Sequence, residues 1–574
     1  MGNRSGGWVA IRWSFAVLLA GGGLHAQTIS LASQVQNANV SQPSLIGLEP
    51  ISDDGRFVLF TTKQALLTID TNATDDGYLR DRWLDVTTLV TVGSGGLLAN
   101  GQSRTPSLSG DGNVIAFLSL ATNLATPDTN GTYDLFVHAR STGLTERINV
   151  GPLGVESNGA VGPDPSLSRD GSLVVFSSSA TNMVAADNNG VPDVFLRDRG
   201  LQHTELLSAG PGGVPGNGDS YKPRISGDGR FVVFSSFASN LGPVDTNGNA
   251  DVYLLDRSTG SMDLVSVSSS GAQGNGLSTD ASVSADGRYV AFLTSATNLA
   301  PNDTNGASDV LVRDRVAGVT LRCSQSTAGV QSSSSVTWPV ISADGRFVLF
   351  KSAASNLVAG DFNGLMDMFQ RDIVSGTTTR VSLNWQGQSL NQHINLYGAS
   401  RDGRFVVMTT DADNATPGVF SQFERVWVRD LTGLTPTRYC SPQVGSTGCA
   451  PRLDTLGDSS ATAGTGFLVG VTQIEPQRAG LLFFGTQGPN AAPFYGGTLC
   501  VAPPLRRTPV QQSISIAPPP CDGELTYDFN TLFNLPNDPT LRYGDQLWVQ
   551  AWIRDPGLPS GAQLSDALEL VIGP

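Results

Sequence analysis

The chain has 574 residues and a formal charge of −15. That length excludes a single compact core of ordinary type, so more than one module is expected. Only three lysines occur (Lys63, Lys222 and Lys351) and the arginines are scattered, which leaves no clustered basic face and argues against nucleic acid as a partner. The acidic balance points to cations, or to solubility alone.

Residues 1–26 read as an export signal. Arg4 and Arg12 supply positive charge, Trp13 to Ala20 an apolar run, and Leu24-His-Ala26 a cleavage site before Gln27. The apolar run is short and ends in Gly21-Gly-Gly23, and no later stretch approaches the roughly 20 apolar residues of a spanning helix. The expectation is an exported protein without a transmembrane segment once the signal is removed: periplasmic, on the cell surface or secreted.

Residues 28–33, TISLAS, resemble the last strand of a repeat whose beginning is missing. The repeats follow. An Asp-Gly pair recurs at Asp54, Asp111, Asp170, Asp228, Asp286, Asp344 and Asp402, at intervals of 57 to 59 residues. Each repeat carries a short first strand, the Asp-Gly turn, an apolar second strand such as Phe231-Val-Val-Phe234, a polar loop, a third strand such as Asp251 to Asp256, a Thr-Gly-type turn and a fourth strand. Four antiparallel strands in each of seven units predict an all-β, seven-bladed β-propeller over 27–439, closed by the segment behind the signal. The tight turns then fall on one face of the ring and the long loops on the other, and the long-loop face is where a ligand is expected.

The repeats stop after Tyr439. Residues 440–574 carry Pro-rich stretches and short alternating segments such as Leu547 to Trp552, which predict a small β-sandwich. Four of the five cysteines, Cys440, Cys449, Cys500 and Cys521, lie there. In an exported protein they predict two disulfides with three possible connectivities, while Cys323, in a strand position, reads as a buried thiol.

The polar loop after the second strand carries Asp-x-Asn-Gly-x-x-Asp five times: Asp128/Asn130/Asp134, Asp187/Asn189/Asp193, Asp245/Asn247/Asp251, Asp303/Asn305/Asp309 and Asp361/Asn363/Asp367. A sixth copy, Asp70/Asn72/Asp76, has Ala73 in place of glycine, and the seventh repeat has rebuilt its loop. Calcium takes six to eight oxygens, and short Asp/Asn loops with a central glycine can supply them. Each loop offers two carboxylates and one amide, a set suited to weak binding. The competing reading is structural: Asx turns in which Asp and Asn accept backbone N–H bonds. The asparagines Asn123, Asn182, Asn240, Asn298 and Asn356 are expected to cap turns. His138, His203 and His393 fall at different repeat positions and suggest neither a metal cluster nor a Ser-His-Asp set.

Ser-x-Asp-Gly-Arg followed by Asp-Val-Phe-x-Arg-Asp, as in Ser226-Gly-Asp-Gly-Arg230 and Asp251-Val-Tyr-Leu-Leu-Asp256, resembles the WD40-like repeats of TolB-type β-propellers over residues 28–439. Such propellers serve as scaffolds, envelope binding modules and appendages of enzymes, so the resemblance implies fold more than function. Tyr439-Cys440, Gly497-Thr-Leu-Cys500 and Gln550 to Pro556 resemble a C-terminal module of exported bacterial proteins. That resemblance implies Cys440–Cys500, leaving Cys449–Cys521. The expected function is a non-catalytic scaffold, calcium-stabilised, with a protein or glycan ligand. The alternative is a carbohydrate-active hydrolase or lyase using long-loop carboxylates. The altered loop of the seventh repeat, with Phe420, Phe423, Glu424 and Arg425, is the place for an asymmetric site.

Overall fold

The computed structural model describes residues 29–571 except for a few short segments, chiefly parts of 33–48 and residues 416–423, 432–436, 440–445, 457–467, 502–505, 516–522 and 529–545. The signal stretch lies outside the described residues, as do Phe420 and Phe423. Among the described residues the regular elements are strands and three single-turn 3₁₀ pieces. No helix is long and apolar enough to cross a membrane.

Seven four-stranded antiparallel sheets follow the seven repeats. They span residues 44–89 (sheet 1), 103–147 (sheet 2), 166–206 (sheet 3), 220–264 (sheet 4), 278–322 (sheet 5), 336–380 (sheet 6) and 397–430 (sheet 7). Sheet 7 takes its fourth strand from the N-terminus. Ile29–Leu31 pairs with Arg425–Asp430 in the register Ile29↔Arg429, Ser30↔Val428, Leu31↔Trp427. The edge of the last repeat is thus covered by the first described strand of the chain.

Second and third strands are apolar on both sides because each sheet is buried between two others. Leu59 and Leu79 of sheet 1 share a core with Ile115 and Phe117 of sheet 2. The same holds from sheet to sheet up to the join of sheets 7 and 1, where Val407, Val426 and Val428 pack against Val58 and Phe60. First strands of neighbouring sheets approach one another around a common axis. A ring of packed sheets is the arrangement of a β-propeller.

Each repeat residue has a local task. In the Asp-Gly turn Ser226 Oγ donates to Asp228 (2.5 Å) and accepts the Phe231 N–H (2.9 Å), while Asp228 accepts the Arg230 N–H (3.0 Å). Gly229 has φ +77°, the left-handed region that favours glycine, and a Cβ there would displace only the tip of the Leu173 side chain of the preceding sheet. The arginine after the turn reaches the aspartate that ends the third strand: Arg230–Asp256 and Arg288–Asp314 at 2.7 Å, Arg346–Asp372 at 2.9 Å. The turn asparagines, expected to cap their own turns, instead bond the chain 23 to 26 residues earlier. Asn240 accepts the Asn217 N–H (2.9 Å) and donates to the Pro215 carbonyl (3.0 Å), tying its loop to the linker from the previous sheet.

Among the described C-terminal residues Pro489–Phe494 pairs with Gly497–Val501 as a separate two-stranded sheet, and two larger antiparallel sheets share one core. Leu453, Val469, Val471, Leu525 and Tyr527 of one face Leu482, Phe484, Val549, Ala551 and Ile553 of the other. Thr437–Tyr439, just ahead of the expected boundary, already pairs with Ala562–Val571. Cys449 is in a disulfide. Cys440, Cys521 and the Cys500 side chain, and with them the expected pairings, lie outside the described residues. Cys323 is a buried free thiol, pushed up to about 12 by burial.

Candidate functional site

A cavity of about 970 Å³ occupies the axis of the ring, lined from all seven sheets and reaching the Asp-Gly turns at Asp54, Asp111, Asp228 and Asp402. The long loops sit at the opposite end. Two repeat positions build the cavity. The first is a bulge in the first strand, where the register shifts: Thr105, Lys222, Asp280 and Trp338 adopt φ between +45° and +53°. Bulges re-aim side chains, and left-handed backbone at non-glycine residues is a strain that surrounding structure must hold. Lys222, Asp280 and Trp338 line the cavity. Lys222 Nζ and Asp280 are 2.6 Å apart, with the lysine side chain 34% exposed. The Trp338 ring lies under the Lys351 ammonium (4.8 Å), and its carbonyl accepts the Tyr397 hydroxyl.

The second position is x of Ser-x-Asp-Gly. It is small in four repeats (Gly110, Gly227, Ala285, Ala343) and charged in three (Asp53, Arg169, Arg401). Those three meet at the axis: Arg169 pairs with Asp53 (2.7 Å), and Arg401 lies 3.9 Å from Asp53 and 3.8 Å from Glu49. Arg401 also crosses the ring to donate to the Leu167 carbonyl (2.6 Å). Glu49 accepts from Ser107 (2.8 Å) and Ser166 (3.1 Å). Sequence reasoning missed both positions because each was averaged into a repeat consensus. Comparing the seven copies column by column exposes them.

The acidic loops are resolved into distinct cases. In sheet 2 the Arg147 guanidinium sits among Asp128 (3.2 Å), Asp134 (3.0 Å) and Glu156 (3.2 Å), carboxylates whose oxygens lie within 4.8 Å of one another. In sheet 5 Arg322 reaches Asp303 (3.8 Å) and Asp309 (3.1 Å), and in sheet 6 Arg380 reaches Asp361 (3.3 Å) and Asp367 (3.4 Å). In sheet 4 the Gln273 amide bridges Asp245 (2.6 Å) and Asp251 (2.7 Å). In sheet 1 Tyr78 donates to Asp70. The asparagines serve as the structural reading expects: Asn130, Asn189, Asn247, Asn305 and Asn363 each accept a backbone N–H two residues on, and Asn72 accepts that of Thr74. The carboxylate triad of sheet 2 has the donor set of a metal site, with an arginine in its midst.

Burial pushes the carboxyls of Asp76 and Asp193 up to about 6; nearby Asp70 and Asp75 add to the first, Asp187 and Asp219 to the second. A carboxyl raised in the folded state binds more protons there than in the unfolded chain, so its contribution to stability is fully present below about pH 4 and is lost as pH rises to about 6. Asp193→Asn should therefore flatten the fall in Tm between pH 4 and 6 relative to the parent, measured in chelator. An unchanged difference curve would mean that Asp193 is not the group responsible.

The remaining expected residues are dispersed. His138 is buried beside Thr145 (2.9 Å), His203 starts an outer strand, and His393 Nδ1 accepts the Met366 N–H (2.8 Å); none lines the cavity. Glu424 accepts from Thr409, and Arg425 opens the third strand of sheet 7.

No family model matches the chain, and no curated protein matches it. Solved structures that resemble it include TolB from Acinetobacter baumannii, with a TM-score of 0.31 and 17% identity over 53% of this chain and 59% of that one. An oligogalacturonate lyase in complex with manganese gives 0.43 and 12% over 68% and 90%. The oligogalacturonate lyase from Vibrio parahaemolyticus gives 0.44 and 11% over 71% and 97%. The chain thus spans about three fifths of the TolB it resembles. With these TM-scores below 0.5, the fold is carried by strand order and packing.

Proposed function

We propose that the protein is an exported, closed seven-bladed β-propeller with a C-terminal disulfide-tied β-sandwich, and that it binds a protein segment or a glycan in the axial cavity without transforming it. The carrying observation is that the side chains which differ from sheet to sheet converge on one cavity of about 970 Å³, at the upper end of the range for ligand pockets, roughly 300–1,000 Å³. Trp338 offers a ring face, and Lys222, Arg224 and Arg401 offer cations to carboxylate or hydroxyl groups. The cavity charges are held in pairs, Lys222 with Asp280 and Arg169 with Asp53, which suits recognition by exchange of partners. Calcium belongs to the same reading: it is stabilising where an acidic loop lacks a guanidinium or amide to bridge its aspartates.

The test is a glycan array and a peptide-display screen of the parent protein, followed by affinity measurements on Trp338→Ala and Lys222→Ala. Each substitution should weaken binding about tenfold or more, the effect of losing an anchor worth roughly 1.4 kcal/mol. Unchanged affinity in both variants, with loss in Glu424→Gln, would move the site to the long-loop end. Product released from any retained glycan would establish the hydrolase or lyase alternative instead.

A further inference from the structure

The six acidic loops form a series in which four aspartate pairs meet a guanidinium or an amide and two, in sheets 1 and 3, keep buried carboxylate oxygens with no hydrogen-bond partner. The partner comes from a fixed place. Arg147, Arg322 and Arg380 stand opposite the third residue of the third strand, at Phe136, Leu311 and Phe369. In sheets 1, 3 and 4 that place holds Leu89, Leu206 and Leu264. Sheet 4 compensates with Gln273; in sheet 1 the Tyr78 hydroxyl takes one Asp70 oxygen and leaves Asp70 Oδ1 and Asp76 Oδ2 without a hydrogen-bond partner. In sheet 3 the residue at the tyrosine position is Phe195 and the one at the glutamine position is Pro215, neither of which has a side-chain donor.

Asp187 and Asp193 of sheet 3 are 5% and 0% exposed. Asp193 accepts from Ser208 (2.5 Å) and Asn189 (2.6 Å). Asp187 Oδ1 is buried with no hydrogen-bond partner. An orphaned buried carboxylate beside a second one is costly unless a cation joins them. Asp219, on the exposed side, adds its negative charge to the field at Asp193. In sheets 2, 5 and 6 a guanidinium meets that same demand.

We propose that the sheet 3 loop binds one divalent cation of the calcium class, with Asp187 and Asp193 as carboxylate ligands and Asp219 facing its solvent side, in the place its sister loops fill with arginine. This deepens the calcium part of the function proposed above and is independent of what the axial cavity binds.

The test is titration of the purified full-length protein with calcium chloride, by calorimetry and by thermal unfolding in calcium and in chelator. The parent should bind about one ion per chain, with a Tm rise of roughly 2 °C or more at saturating calcium. Asp187→Asn should lose the calcium response while melting higher than the parent in chelator, because neutralising the orphan removes the repulsion. Leu206→Arg should do the same by restoring the sister arrangement. Lys222→Ala should leave the response intact, so failure of cavity binding is read separately. A parent that takes up no calcium, or a response that survives in both Asp187→Asn and Leu206→Arg, would overturn the proposal. So would an Asp187→Asn that melts lower than the parent in chelator. Binding that Asp128→Asn removes and Asp187→Asn does not would assign the ion to sheet 2 instead.

Discussion

Removing residues 29–31 should destabilise the ring more than any loop change. Ile29 is 7% exposed and packs with Val406, Met408 and Trp427 of sheet 7, and Ala32 is 1% exposed against the core between sheets 7 and 1. The segment also supplies the only partner for the outer edge of Arg425–Asp430 among the described residues. Losing one buried isoleucine and several ladder hydrogen bonds gives an expected loss of about 5 kcal/mol. The freed edge exposes unpaired backbone groups next to a buried tryptophan, so soluble aggregates should appear together with the fall in Tm. Thermal unfolding and gel filtration of the protein begun at residue 32 check this. A monomer melting within about 1 °C of the parent would mean that the strand does not close the ring.

The second large effect is expected at Arg147. Its side chain is 7% exposed and serves carboxylates that are 5%, 0% and 13% exposed. Arg147→Met leaves three acidic groups facing one another, and breaking a buried ion cluster in this way costs about 3–5 kcal/mol. Protonation relieves the repulsion, so the deficit should shrink as pH is lowered; Asp128 is already raised by burial and by Asp134. Calcium should also restore part of the lost Tm, since the three carboxylates then constitute an open metal triad. A variant as stable as its parent at pH 7 in chelator would show that the arginine is not what holds the loop together.

What was legible in the sequence was the part of the fold that repeats. The seven Asp-Gly pairs and the apolar second strands define the sheets, and residues 28–33 look like a fourth strand because Ile29–Leu31 is one. Local hydrogen bonding was legible in part: the Asn of each acidic loop makes the Asx turn, whereas Asn240 and its equivalents bond the linker 23 to 26 residues earlier rather than their own turn. The cations of the acidic loops were not. Arg147 is 19 residues beyond Asp128 and arrives through strand pairing, so a motif confined to one loop does not contain it. The axial cavity was missed for a different reason. A repeat consensus treats Lys222, Asp280 and Trp338 as noise at one position, whereas the ring turns that position into a circle of neighbours whose differences make a site. The length of the loops drew attention to the opposite end.

The claim that the ligand enters the axis from the Asp-Gly end is tested most directly by hydrogen exchange with and without a ligand retained from the screen. Slowed exchange in Ser220–Ile225, Ser278–Val283 and Val336–Ile341, with the long loops unaffected, is the predicted result. Protection confined to the loops around 237–250 and 295–308, with the first strands unchanged, would contradict it.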